Sequence, residues 1–247
     1  MIKISGIRKL VKRELVAGLC GVCLLLAISP AAVAVVISPI QLDLSNKKPI
    51  GSFTVTNDTA FAITYQAKGL SWQQADGKDV QELSNEVIVS PPIVTIPSMS
   101  KQVFRLALQS KLNTRETEQA FRLVLEDVSA EVAVKKETGV SFRFNHNLPV
   151  YYAPAFVVNS LAWSACVTEV EGKSCLRLDN KGNQHLKIIE FKLSAKEATT
   201  PPKVILAGSS AEWLYATKTA LEATENITVL TDRGPLSLSL ATDLVSP

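Results

Sequence analysis

The chain has 247 residues, of which 47% are hydrophobic and 20% charged, a balance that supports folded cores and excludes a disordered chain. The net charge of +3 is unevenly placed: Lys3, Arg8, Lys9, Lys12 and Arg13 against Glu14 put +4 on the first 34 residues and leave the remainder at −1. A globally basic nucleic-acid binder is thereby excluded, because phosphate neutralisation needs Lys and Arg clustered on the folded part.

Residues 1–34 read as a secretory signal peptide. A basic stretch through Arg13 leads into an apolar run from Leu15 to Ile28, broken by Ser29-Pro30, and Ala32-Val33-Ala34 supplies the small-x-small pattern for cleavage after Ala34. The apolar run, at about 14 residues, is shorter than the roughly 20 that a transmembrane helix needs. The expectation is an exported chain with no membrane insertion once the signal is removed. Cys20 and Cys23 leave with the signal, and the mature chain keeps Cys166 and Cys175. An even pair in an exported protein implies a disulfide. The intervening residues read as a hairpin with its turn at Glu171-Gly172-Lys173. A loop that short is stabilised by about 2.5–3 kcal/mol in the chain-entropy model. Two Cys and two distant His, His146 and His185, are too few for a metal site.

Along the mature chain the dominant period is two. Val36, Ser38, Ile40, Leu42 and Leu44 share one face of a first expected strand. Phe53 and Val55 alternate with Ser52, Thr54 and Thr56, and Phe61, Ile63 and Tyr65 form another one-sided stretch. Val87-Ile88-Val89 precedes the breaker Ser90-Pro91-Pro92. Phe104, Leu106 and Leu108, and later Phe121, Leu123 and Leu125, repeat the alternation. Turn signals at Asn46-Lys47-Lys48-Pro49, Asp76-Gly77, Pro91-Pro92 and Asn113 space these strands as in an antiparallel sandwich or barrel. Residues 211–224 fit a short helix or a β excursion equally, and no internal repeat is visible. The change of register near Pro154 places a first domain at 35–154 and a second, carrying the cysteines, at 155–247. A smaller core gains most from such a staple.

Residues 140–150 alternate most regularly. Val140, Phe142, Phe144, His146, Leu148 and Val150 lie on one side, with polar residues or Pro149 between them. Two readings stand. The row fills its own domain's core, or it is an edge strand whose side chains fill another protein's groove by β-strand addition. Pro149, without an N–H, suits an edge or a strand end.

Together with Ile37-Ser38-Pro39-Ile40-Gln41-Leu42, Pro91-Pro92, Ile96-Pro97, Gln102-x-x-Arg105 and Tyr151-Tyr152-Ala153-Pro154, this strand resembles the periplasmic chaperones of the chaperone–usher pilus pathway. The resemblance implies an all-β chain of two immunoglobulin-like β-sandwich domains set at an angle. It implies an ATP-independent chaperone that is not an enzyme and needs no cofactor. Such a chaperone binds pilus subunits by donor-strand complementation and delivers them to an outer-membrane usher. On that reading Val140, Phe142 and Phe144 are the principal inserted side chains, with His146 and Leu148 extending the row. Three such residues contribute roughly 5–9 kcal/mol on burial before ordering costs.

Better-known members hold the subunit's terminal carboxylate with an Arg of the first strand and a Lys of the donor strand. Here Pro149 stands where the Lys is expected and Val35–Leu44 contains no Arg, so the pattern looks more like the divergent, archaic branch. Arg105 is the first candidate for a replacement anchor and Arg143 the second, with solvated sheet-face charges as the plain alternative. An exported two-domain fibre or adhesive protein is the rival. It would need a free alternating N-terminal extension, whereas here the mature N-terminus runs straight into the first strand. No nucleophile–base arrangement, Walker motif or phosphate loop accompanies His146 or His185.

Overall fold

The computed structural model describes residues 34–75, 77–109, 116–129, 143–193, 196–198, 202–216 and 227–238. The expected signal peptide up to Val33, Val140 and Phe142 lie outside these residues, as do residues 217–224.

Among the described residues all regular elements are strands. The first ten are β1 (Val35–Ser38), β2 (Leu42–Leu44), β3 (Ile50–Asn57), β4 (Ile63–Ala75), β5 (Lys78–Leu83), β6 (Val87–Ser90), β7 (Ile93–Ile96), β8 (Ser100–Leu108), β9 (Gln119–Asp127) and β10 (His146–Tyr152). They form two sheets, one ordered β1-β3-β8-β6 and the other β2-β10-β9-β4-β5 with β7 also paired to β4. The stretch expected as one strand from Val36 to Leu44 is thus two. Pro39, which has no N–H to give a ladder, lies between β1 and β2, and the chain changes sheet there. Phe61, expected in a strand, precedes β4 and is exposed.

The period-two alternation becomes burial. Phe53 and Val55 of β3, Phe104 and Leu106 of β8, and Phe121, Leu123 and Leu125 of β9 turn inward and are at most 3% exposed. Phe53 and Phe104, directly opposite in register, stack with ring centroids 4.9 Å apart. Tyr65, Leu148 and Val150 complete this core. The sheets come so close at Gly69 that a Cβ there would lie 2.3 Å from the Cβ of Val87.

The second half contains β11 (Leu161–Cys166), β12 (Lys173–Asn180), β13 (Leu186–Leu193), β14 (Lys196–Ala198), β15 (Lys203–Ile205), β16 (Ser210–Ala216), β17 (Ile227–Thr231) and β18 (Gly234–Leu238). One sheet is ordered β11-β12-β16. The other runs β14-β13-β17-β18, with β15 on β13. A separate core of Trp163, Leu176, Leu178, Ile188, Phe191, Trp213 and Val229 lies between them. Of the ambiguous stretch 211–224, the described part continues β16 and is strand. The hairpin appears as expected, with Gly172 at φ +71° and Cys166 bonded to Cys175 directly opposite it, Cα to Cα 4.9 Å.

A repeat that the sequence hides becomes visible in the side chains. Asn57, at the end of β3, donates through Nδ2 to the carbonyls of Phe61 (2.8 Å), Ile96 (3.1 Å) and Pro97 (3.0 Å) and accepts from Thr59 N. Asn180, at the end of β12, donates to Gln184 (2.8 Å), Ile205 (3.1 Å) and Leu206 (3.1 Å) and accepts from Gly182 N. Both amides reach the carbonyl four residues on and the N–H two residues on. Each fastens the corner of its own sandwich. Asn57 opens a glycosylation-like triplet, yet it is fully buried and its amide is engaged.

Candidate functional site

Strand β10 is paired unequally along its length. Against β9 it is antiparallel throughout, from His146 opposite Leu125 to Tyr152 opposite Gln119. On its other side β2 runs parallel to it only from Val150 to Tyr152, and Ala153 N extends this pairing to the Leu44 carbonyl at 2.9 Å. From His146 to Pro149 that side meets no strand among the described residues. Backbone groups on such an edge are a template for a further strand. Pro149, at the end of the open stretch, has no N–H to satisfy.

The inward row changes character along the same strand. Val150, Tyr152 and Leu148 are 0%, 5% and 4% exposed, so Leu148 belongs to its own domain's core. A side chain surrounded by the home core has little surface left for another groove, which sets Leu148 apart from the outer residues of the expected row. His146 is half-buried, its Nε2 3.3 Å from the Tyr65 hydroxyl and its ring edge-on to the phenol at 5.8 Å. Burial lowers the His146 pKa, opposed by the Asp127 carboxylate. Tyr65 is pushed up to about 12 by burial, with Asp127 adding to it. Phe144, one step further out, is 67% exposed. Asn145 Oδ1 accepts from Asp127 N at 3.2 Å and so holds the approach to the strand against β9.

A cavity of about 510 Å³ runs beside the open edge of β10. Val35, Ile37, Ile40, Leu148, Pro149 and Val204 give it apolar walls, and Arg122 and Lys187 bring the cations. Arg122 lies on β9 directly opposite Pro149. A positive charge therefore sits one strand over from the position where the resemblance led us to expect a donor-strand Lys. Its guanidinium carbon is 3.5 Å above the Trp72 ring. Nε is buried with no hydrogen-bond partner, and no carboxylate is within ion-pair distance among the described residues. Burial lowers the Arg122 pKa, while Tyr151 and Asp79 act in the other direction. A half-buried guanidinium with an unused donor is prepared for an anion.

The two cations proposed from the sequence lie elsewhere. Arg105 is exposed on β8, opposite Ser52 and Ser90, in the sheet that lacks β10. Arg143 is exposed, three residues before β10 begins. In the sequence Arg122 alternates with Phe121 and Leu123 as a solvent-side residue does. The signal available was its position in the last strand before the alternating segment 140–150. Cys166 and Cys175 have Glu212 nearby, but both sulfurs are consumed by the disulfide.

Residues 34–157 match the model of the pili and flagellar-assembly chaperone family, PapD N-terminal domain. No curated protein sequence matches the chain. Among solved structures, the chain resembles one titled as the CsuC–CsuE chaperone–tip adhesion subunit pre-assembly complex from archaic chaperone–usher Csu pili of Acinetobacter baumannii. The TM-score is 0.67 at 19% identity, covering 84% of this chain and 99% of that one. The Salmonella enterica SafB chaperone with the SafA pilin gives 0.61 at 14% identity, covering 86% and 99%. The E. coli chaperone DraB gives 0.58 at 15%, covering 84% and 99%. These likenesses establish a fold of two immunoglobulin-like sandwiches. By its family match, the chain is a member of the pili and flagellar-assembly chaperones.

Proposed function

We propose that the protein is a periplasmic chaperone that binds pilus subunits by lending them a strand and then passes them to an outer-membrane usher. The observation that carries this reading is the half-paired strand β10, whose open edge at His146–Pro149 leads outward to the exposed Phe144. A subunit lacking a strand exposes apolar surface and unpaired backbone. Docked along this edge, it gains ladder hydrogen bonds from β10 while Phe144, with Val140 and Phe142 before it, fills its groove. His146 marks the point where the row passes from partner groove to home core. No cofactor or chemical step is required, because release follows from exchange of one strand for another. Family membership favours this over an exported fibre protein.

The subunit's carboxylate would be received in the cleft beside the edge by Arg122 and Lys187. Of the cations considered, these two line the cleft; Arg105 is in the other sheet and Arg143 lies ahead of the paired strand. A carboxylate accepting a hydrogen bond from the Arg122 guanidinium makes a charge-assisted bond worth about 1.5–3 kcal/mol.

The test is co-expression with a pilus subunit in the periplasm, comparing wild type with Phe142→Ser, Phe144→Ser after circular dichroism has shown the variant folded. A one-to-one complex with wild type that is lost in the folded variant is expected. A complex that survives unchanged rules out donation through this strand.

A further inference from the structure

The cleft's two cations belong to different sandwiches, Arg122 to β9 and Lys187 to β13, so their spacing depends on the joint between the two cores. Side-chain hydrogen bonds cross that joint. Glu118, just before β9, accepts through one carboxylate oxygen from His185 N at 2.9 Å and lies 2.7 Å from His185 Nδ1. Both side chains are only 5% exposed. Gln74 spans the same joint like a short piece of strand. Its Nε2 donates to the Val204 carbonyl at 2.9 Å and its Oε1 accepts from Leu206 N at 2.9 Å.

A continuous stack leads from this joint to the cleft. The His185 ring lies on Tyr151 with centroids 3.6 Å apart and planes within 9°. Tyr151 packs against Trp72 at 5.9 Å, and Trp72 carries the Arg122 guanidinium at 3.5 Å. Trp72 and Tyr151 are 3% and 2% exposed, so neither has room to turn away independently in a close-packed interior. Lys187 follows His185 by two residues on the same stretch of chain. One buried residue, His185, is thereby tied to both cations: to Arg122 through two rings and to Lys187 through backbone.

We infer that Glu118 and His185 are positioning residues for the anion-binding cleft, setting the placement of Arg122 and Lys187 without touching the client. This inference rests on the reading that the cleft receives a carboxylate. Holding two donors at fixed spacing removes ordering cost from binding. A loosened joint therefore lowers carboxylate recognition while leaving strand pairing intact.

The probe is a short acetylated strand-forming peptide of alternating threonine and valine, used as the free acid and as the C-terminal amide. Each is titrated into the mature chain and followed by NMR. Wild type is expected to bind the acid about tenfold or more tightly than the amide, the ratio for one charge-assisted bond. Folded Glu118→Ala and Tyr151→Leu are expected to bring that ratio down to about one to two, with affinity for the amide unchanged. Tyr151→Phe keeps the stack and should keep the ratio. In wild type itself, the acid should shift the Arg122 Nε–H and the His185 ring resonances along one saturation curve, although His185 does not contact the peptide.

If wild type shows no preference for the acid, the carboxylate reading fails and the inference with it. If the preference exists but persists in folded Glu118→Ala and Tyr151→Leu, the cleft takes a carboxylate and the positioning role is overturned. If the variants do not fold, a silent His185 ring during the wild-type titration overturns it alone.

Discussion

The two halves of strand β10 share a backbone and one neighbour, yet they do different work. From Val150 to Tyr152 the strand is bonded on both sides, to β9 and to β2, and all three side chains are buried. From His146 to Pro149 it keeps only β9. The second neighbour ends because β2 is three residues long, shortened by the change of sheet around Pro39. A structural strand is thus converted into a half-open one by trimming its partner, with no change in its own alternation. Backbone pairing is complete where both edges are satisfied, and the open half is where the proposed recognition falls.

The sharpest way to break this comparison is Leu148→Ala. Leu148 lies in the half with the open edge but packs in the home core, so we expect a loss of about 2–5 kcal/mol in unfolding free energy, the range for large-to-small core changes. A denaturation curve showing under about 0.5 kcal/mol, the surface range, would move Leu148 to the partner's side. Next in size are Asn57→Ala and Asn180→Ala, each of which strips three carbonyls of a donor. A cost of about 2–3 kcal/mol is expected for either, by the penalty for orphaned buried groups. Similar losses in chemical denaturation would show that the two corners are equivalent.

His146 stands at the border, and its effect is smaller and depends on pH. Burial keeps its folded pKa below 6.5, so the unfolded chain takes up the proton first as pH falls. The stability contributed by neutral His146 is therefore complete above pH 6.5 and lost as pH drops below that value toward the folded pKa. Thermal melts between about pH 7 and 5 should show a slope that His146→Gln flattens. Smallest for folding is Phe144→Ser: at 67% exposure it should alter stability by no more than about 0.5 kcal/mol. Its complex with a pilus subunit should nevertheless weaken measurably in a pull-down.

How far the sequence reached follows the same division. Alternation found the inner faces of β3, β8 and β9 because burial on one face is a period-two signal written locally. The hairpin at Cys166–Cys175 was legible for the same reason, with Gly172 at its turn. What alternation does not carry is which edge of a strand is paired. Val140–Val150 looks uniform, and only the length of a segment a hundred residues away decides where the open edge begins. Arg122 was hidden likewise: on a central strand it resembles any outward charge until Trp72 and the second sandwich close over it. The repeated corner amides were hidden because Asn57-Asp58-Thr59 and Asn180-Lys181-Gly182 share one residue and a geometry, not a pattern.

The central claim is that a subunit's strand pairs with the open edge of β10. Hydrogen exchange of the chaperone, free and in complex with a co-expressed pilus subunit, measures this at the backbone. The account predicts that amides between Phe144 and Leu148 gain protection in the complex while those of Val150–Tyr152, already paired on both sides, change little. A complex that forms with the Phe144–Leu148 amides exchanging as in the free protein would contradict it.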